Sequence, residues 1–171
     1  QVRGLDFEAG YSHSLGADRS LDLRILATHA IDYTNSALPG VNRAGDDGPA
    51  GVPSWVIDGD VSVNWGPVGV HAEGRYISAG KYDATLIGPQ DPGYSILLPN
   101  SINTNRVPSR FMTNLGVTFD LVDRGSRKVE LFGNVYNLFD VLAPPLWNGN
   151  NNGVYYDNIG RRYRMGVRAS F

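Results

Sequence analysis

Hydrophobic and polar residues alternate along most of this chain, in seven segments separated by connections rich in Gly, Pro, Asn and Asp. Because successive side chains of a β-strand point to opposite faces, strict alternation predicts strands with one apolar and one polar face. Helical periodicity is weak throughout. We therefore predict an all-β protein with antiparallel strands. The predicted strands cover residues 4–15, 19–33, 54–65, 68–81, 108–120, 127–140 and 160–171.

The connections between these segments alternate between short and long. The short turns are 16–18, 66–67 and 121–126, and the long loops are 34–53, 82–105 and 141–158. In an antiparallel arrangement all the long loops would lie at one end of the strands. A transmembrane β-barrel has this asymmetry, with tight periplasmic turns and long extracellular loops, whereas a soluble sandwich has no reason to keep it. The pattern predicts an antiparallel transmembrane β-barrel with its long loops outside the cell.

The two tryptophans of the third segment give an independent estimate of length. Trp55 and Trp65 are ten residues apart on its apolar face. At about 3.3 Å per residue, this spacing corresponds to about 33 Å along the strand. A tilt of about 40 degrees leaves roughly 25 Å of vertical height, which is the height of the apolar band between the aromatic girdles of a membrane barrel.

The most specific motif lies after residue 127. The segment Asn137-Leu138-Phe139-Asp140 is followed by Gly160-Arg161 and Tyr163, and the chain ends on Phe171. This combination resembles the C-terminal end of a TonB-dependent outer-membrane receptor. The resemblance implies a 22-stranded barrel with an N-terminal plug domain, and uptake of a scarce nutrient with energy from the TonB complex. It also implies that the barrel assembly machinery reads Phe171.

The subfamily stays open, because residues 141–145 (Val-Leu-Ala-Pro-Pro) replace an aromatic that many members place shortly after the motif. The nutrient is therefore an iron chelate, a carbohydrate or a similar compound. Single-chain bacterial barrels have an even number of strands. Seven is odd, and the chain starts without a signal peptide. We therefore expect residues 1–171 to be the last seven strands of a larger barrel in the bacterial outer membrane. The plug, the earlier strands and the TonB box would then lie outside these residues.

Composition agrees with this interpretation without proving it. The 171 residues are 42% hydrophobic and 19% charged, with a net charge of −2 and no cysteine. There is no apolar run of about eighteen residues or more, so a helical membrane span is excluded. The mean hydropathy of −0.24 is compatible with a barrel, because half of its strand residues face water.

No catalytic, metal or cofactor site is predicted. Asp58 and Asp60 share one strand face, but a water-lined barrel wall carries such residues without catalysis. The three histidines lie on three different strands, without a second ligand at metal spacing along the chain. The arginines of the last strand alternate onto a solvated face, so nucleic-acid binding is not expected. Lipid and a small-molecule nutrient are the expected contacts, besides the TonB complex and the assembly machinery.

Ligand-binding residues are expected on the loops and on the polar face of the strands, because binding residues tend to lie on loops held by a rigid scaffold. The loop candidates are Asn42, Arg43, Tyr82, Tyr94, Trp147, Asn148 and Tyr155, and the candidates on the polar strand face are Arg24, Asp58, Glu73 and Arg110. Trp147 is the strongest of them, because a large aromatic in an Asn/Gly-rich loop has little other reason to be there. Two alternatives stay open: a passive porin or outer-membrane barrel enzyme, and a soluble β-sandwich binding module.

Overall fold

The computed structural model describes residues 1–34, 39–48, 51–124, 127–144 and 155–171. Its strands are β1 (Val2–Gly16), β2 (Arg19–Tyr33), β3 (Trp55–Trp65), β4 (Val68–Ile77), β5 (Gly80–Lys81), β6 (Arg106–Val107), β7 (Arg110–Arg124), β8 (Arg127–Tyr136) and β9 (Arg162–Ser170). No helix in these ranges is long and apolar enough to cross a membrane.

Seven of the strands form one antiparallel sheet in the order β1-β2-β3-β4-β7-β8-β9. Neighbours in the sheet follow one another along the chain, apart from β5 and β6, which form a small separate pair between β4 and β7. The prediction of an all-β antiparallel protein is therefore confirmed. Within the described part of the chain, β1 and β9 each pair on one side only, so that the sheet is open rather than closed on itself.

Several strand ends differ from the prediction by one or two residues, and three differ by more. β4 ends at Ile77 because the chain leaves the sheet there, and residues 80–81 pair with β6 instead. β8 ends at Tyr136, since Asn137 has a positive φ of 52° that an extended strand does not allow. β7 continues to Arg124 across an irregularity in register after Asp120, so that only residues 125–126 separate it from β8.

Cross-strand register aligns most apolar residues of the strands on one face of the sheet. One row runs through Phe7, Ala27, Ile57, Tyr76 and Phe111. The exceptions include Leu26, Met112 and Phe132, which lie in rows of the polar face. This apolar face is uncovered. Phe111 is 54% exposed, and the buried apolar side chains that the structure describes, which include Ile77, Val107 and Tyr156, are few and lie outside this face.

The buried part of the molecule is a polar cluster that joins the three long connections. We call Arg43, Asp46, Asp47, Asn105 and Tyr156 the loop cluster, since all five are buried. Arg43 Nη1 donates to Asp46 Oδ2 at 2.6 Å, and Asn105 Nδ2 donates to two backbone carbonyl oxygens of the second connection. Tyr156 donates its hydroxyl to Asp47 at 3.4 Å and so links the third connection to the first. The long connections therefore meet at one end of the sheet, as predicted.

Candidate functional site

A cavity of about 390 Å³ lies on the polar face of the sheet, next to the loop cluster. Strands β3, β4, β7 and β9 supply its charged wall, because their register places polar residues of the same face side by side. The residues after the third long connection cover it from the other side. Its lining comprises Asp58, Gly59, Asp60, Glu73, Gly74, Arg75, Met112, Asn114, Asn137, Tyr155, Tyr156, Asp157 and Arg162.

Each of the two arginines that line the cavity lies next to a carboxylate. The Arg75 guanidinium lies 3.6 Å from Asp58, across the β3–β4 pair. Arg162 Nη2 lies 2.6 Å from Asp157 Oδ2. Since each of these arginines has a fixed carboxylate neighbour, the cavity presents oriented donors and acceptors of both signs. Such a wall suits a polar ligand that both donates and accepts hydrogen bonds.

Glu73 and Asn114 connect the cavity wall to the end of β8. Asn114 Nδ2 donates to Glu73 Oε2 at 2.9 Å, while Asn114 Oδ1 accepts the backbone N–H of Asn137 at 2.9 Å. The amide is therefore oriented by partners on both sides. The orientation of the amide follows from the backbone donor, because the N–H of Asn137 requires the Asn114 oxygen on its side.

Two tyrosines form the aromatic side of the cavity. Tyr156 is 7% exposed and Tyr155 is half-buried. Burial raises the pKa of both phenols above the ordinary value. Both therefore stay neutral hydrogen-bond donors at physiological pH. Neutral aromatic rings beside amides and carboxylates are groups that stack on, and hydrogen-bond to, a sugar or another polar ring.

Asp47 lies behind Tyr156 and is the most perturbed acid outside the strands. It is 4% exposed, and burial raises the pKa of its carboxyl to about 7, against a smaller opposite effect of the Tyr156 hydrogen bond. The neighbouring Asp46 also has a raised pKa because of burial, although Arg43 and two backbone N–H groups stabilise its charged form. The loop cluster therefore contains two acids with raised pKa values, of which Asp47 titrates near neutral pH.

The structure brings three of the predicted binding residues together in the cavity: Asp58, Glu73 and Tyr155. Two other predicted residues of the strands lie outside it. Arg24 pairs with Glu8 at 2.9 Å, between β2 and the edge strand β1. Arg110 donates to the Leu142 carbonyl oxygen at 3.0 Å and thereby holds the start of the third connection.

The predicted binding residues of the first and second loops lie outside the cavity, and those of the first loop stabilise the fold of the loop itself. Asn42 receives the backbone N–H of Tyr33 and donates to the Ile31 carbonyl, so it closes the end of β2. Arg43 is 5% exposed and paired with Asp46. Tyr82 and Tyr94 are half-buried in the second connection. Trp147 and Asn148 lie outside the described residues.

Sequence reasoning did not single out Asn114, Tyr156, Asp157 or Arg162 as members of one site. Asn114 and Arg162 were recognisable as polar-face residues from alternation alone. Their proximity depends on the register of β4, β7, β8 and β9, which local pattern does not specify. Tyr156 and Asp157 follow a long loop, so only the folded chain places them over the sheet.

The two halves of the C-terminal motif are in direct contact. Asn137, which is 2% exposed, receives the Val141 N–H on its side-chain oxygen and donates to the Val141 carbonyl. Asp140 has a positive φ of 54°, and its Oδ1 accepts the N–H of Arg161 at 2.9 Å. Gly160 has a φ of 79°, with Asp140 Oδ1 about 3.0 Å from where a Cβ would stand. The motif therefore fixes the end of β8 against the start of β9.

Two further motif positions, Phe139 and Tyr163, and the terminal aromatic are on the surface. Phe139 is 65% exposed and lies beside Phe111 and Tyr76 on the apolar side. Tyr163 is 67% exposed and pairs with Val135 in the apolar row, while Phe171 is 93% exposed.

No protein-family model and no curated protein matches this chain. The function is therefore inferred from the sheet, the loop cluster and the cavity themselves.

Proposed function

We propose that this chain is the C-terminal part of the β-barrel of a TonB-dependent outer-membrane receptor, which takes up a scarce nutrient in a Gram-negative bacterium. The observation that carries the proposal is the uncovered apolar face of a seven-stranded antiparallel sheet whose long connections all meet at one end. The motif at Asn137–Asp140 and Gly160–Arg161 supports the family. Further strands of a larger barrel would cover the open edges of β1 and β9.

The apolar face favours lipid over water. Phe7, Trp65, Met165 and Val167 are each between 52% and 82% exposed, on the three strands β1, β3 and β9. Soluble monomers rarely expose a contiguous apolar surface of more than a few hundred Å². In a bilayer the same surface needs no cover, and the polar face then lines the water-filled interior of the barrel.

Tryptophans stand at both ends of β3, in line with two membrane interfaces. Trp55 stacks on His29 with ring centroids 4.2 Å apart, at the long-loop end. The Arg19 guanidinium lies 4.1 Å from the Trp65 ring centre, at the turn end. Aromatic rings beside polar groups are typical of the lipid headgroup level. The strand between them is about 33 Å long, which suits a tilted membrane strand.

The cavity supports a small polar nutrient as the ligand. Its volume of about 390 Å³ is within the usual range for small-molecule sites. Tyr155 offers a ring for stacking, while Arg162, Asp58 and Asn114 offer oriented polar groups. A carbohydrate or a hydroxyl-rich chelate fits this chemistry better than an apolar ligand. We propose that extracellular loops and the cavity capture this ligand before TonB-driven transport.

The alternatives differ in what they require. A passive porin or a barrel enzyme would share the membrane face but would not depend on TonB. A soluble β-sandwich would need a second sheet over the apolar face, and the described residues contribute only the two-residue pair β5–β6 outside the main sheet. The observed sheet therefore favours a barrel.

The test is uptake by cells that express the complete receptor, with and without an active TonB complex. A panel of radiolabelled ferric chelates and oligosaccharides is offered to both strains. We expect one ligand class to enter only when TonB is active. Uptake that is equal in the two strains would identify a passive porin instead.

A matched pair of variants then tests the site. Tyr155→Ala removes the ring that lines the cavity, whereas Tyr94→Ala removes a half-buried tyrosine of the second connection that does not line it. We expect the first substitution to lower uptake roughly tenfold or more and the second to leave it near wild type, at equal amounts of folded barrel. Equal effects would contradict the assignment of the cavity.

A further inference from the structure

A cluster of metal-binding side chains lies on the polar face, on β3 and β4. Asp60 and Glu73 are direct cross-strand partners, and His71 is on the same face two residues before Glu73. The nearest ligand atoms of these three residues all lie within 4.8 Å of one another. Spacing along the chain does not show this group, because Asp60 and His71 approach only across the hairpin.

The two carboxylates have an unusual charge environment. Like charges directly opposite each other in a sheet are destabilising. The arginines that could compensate them are engaged elsewhere: Arg24, the partner of Asp60 in β2, pairs with Glu8, and Arg75 pairs with Asp58. Among the residues that the structure describes, no lysine or arginine forms an ion pair with Asp60 or Glu73. In the described part of the chain, His71 is the only basic side chain next to these two facing carboxylates, so they attract a cation.

The histidine is oriented for metal binding. Its Nδ1 lies 2.8 Å from Ser62 Oγ, and its Nε2 lies 3.1 Å from Glu73 Oε1. In the tautomer with the proton on Nδ1, the imidazole donates to Ser62 and its Nε2 lone pair points toward the carboxylates. A hydrogen bond from the second ring nitrogen is the usual support of a metal-ligating histidine. Asn114 fixes the other oxygen of Glu73 at 2.9 Å.

We propose that Asp60, His71 and Glu73 bind a divalent transition-metal ion, for which Zn²⁺ is the best match, and that a fourth position stays open to water or to an added ligand. Zinc takes imidazole and carboxylate ligands at about 2.0–2.2 Å, which places tetrahedral ligand atoms about 3.3 Å apart. The His71–Glu73 distance of 3.1 Å already meets that requirement. Only Asp60 needs to move closer, by a change of rotamer.

The ion neutralises the two facing carboxylates and changes the cavity. Asp60 and Glu73 both line the cavity, so a bound ion adds a positive group with an open coordination site to its wall. A ligand with adjacent hydroxyls or a carboxylate could then coordinate the ion directly. The site rests only on the geometry of β3 and β4, and it goes beyond the proposed transport function without depending on it.

The test is Zn²⁺ binding by the full chain, stripped with a chelator and kept folded in detergent micelles. Isothermal titration with zinc chloride near pH 7.5 should show a single saturable site. Co²⁺ titration gives a second readout, because visible absorption bands reveal a four- or five-coordinate site with a nitrogen ligand. The Ser62→Ala variant should weaken zinc binding about tenfold, since it removes only the group that orients the imidazole.

Four further variants make the assignment specific. His71→Ala and His71→Gln should abolish the saturable site, whereas His13→Ala and Glu130→Gln should leave the affinity within twofold of wild type. His13 is a histidine on another strand, and Glu130 is a carboxylate on β8 that is paired with Arg168. Circular dichroism confirms that each variant keeps the sheet. Absence of saturable binding by the wild type, or unchanged affinity in His71→Ala, would overturn the proposal.

Discussion

The buried carboxyl of Asp47 makes the loop cluster sensitive to pH. Its pKa is raised in the folded protein to about 7, chiefly by burial, from an ordinary value of 3.8. A raised pKa means that the folded state holds the proton more tightly than the unfolded state does. The contribution of this carboxyl is therefore most favourable below about pH 4; stability falls as the pH rises from about 4 to 7 and stays constant above that range. Asp47→Asn removes this titration and keeps an oxygen that accepts the Tyr156 hydroxyl.

The size of the effect follows from the pKa difference. Each unit corresponds to about 1.4 kcal/mol, so the shift corresponds to roughly 4 kcal/mol of lost stability when the pH is well above 7. Asp47 is 4% exposed, so solvent screens this penalty little. We expect the wild-type protein and the Asp47→Asn variant to be equally stable near pH 4. The variant should be more stable by roughly 4 kcal/mol at pH 8.

Hydrogen exchange at the amides that close the cluster measures this difference locally. The N–H of Lys81 donates to the Gly45 carbonyl at 2.8 Å, and the N–H of Asp47 donates to the Lys81 carbonyl at 2.7 Å. The opening free energy of the Lys81 amide, corrected for intrinsic exchange rates, should fall with pH in the wild type only. Asp18→Asn is the control variant, because it makes the same substitution at an exposed turn residue outside the loop cluster. If the opening free energy of the Lys81 amide were the same in the wild type and in Asp47→Asn across the whole pH range, the role of Asp47 would be refuted.

Two further predictions concern the C-terminal motif. Gly160→Ala should lower the free energy of unfolding by about 1–2 kcal/mol, because a φ of 79° disfavours alanine and the added Cβ would stand 3.0 Å from Asp140 Oδ1. Reversible unfolding measures this free energy, and an unchanged value would contradict the contact. Deletion of Phe171 should reduce insertion of the complete barrel into the outer membrane several-fold, measured as folded protein in membrane fractions, and unchanged insertion would remove the assembly role that the family resemblance implies.

The strands were predictable because their signal is local. The alternation of Val61, Val63 and Trp65 with Ser62 and Asn64 is visible in a few consecutive residues, and the structure confirms it. Burying one face also specifies register, since a slip of one residue would move every apolar side chain to the other face.

The loop residues were harder to interpret, because their partners are far away along the chain. Arg43 looked like an exposed ligand-binding residue, yet it is buried with Asp46. Asp46 itself accepts a hydrogen bond from Ala84, 38 residues away, and Asp47 accepts one from Tyr156, 109 residues away. A pattern in neighbouring residues cannot predict such contacts. The cluster at His71 was not predicted for the same reason, because its residues meet only across the β3–β4 pair.

The central claim is that lipid covers the apolar face of the sheet, and one pair of arginine variants tests it most directly. Leu115 lies in the row of Val61 and Ala72, next to the middle of the strand between Trp55 and Trp65. Ser12 lies in the adjacent row on the opposite, polar face.

The measurement is the free energy of reversible unfolding of the complete barrel in lipid vesicles. Leu115→Arg should lower it by about 2–4 kcal/mol, the penalty for arginine at the bilayer midplane. Ser12→Arg should lower it by less than about 1 kcal/mol, because the polar face meets water. Equal costs for the two variants would contradict the membrane assignment.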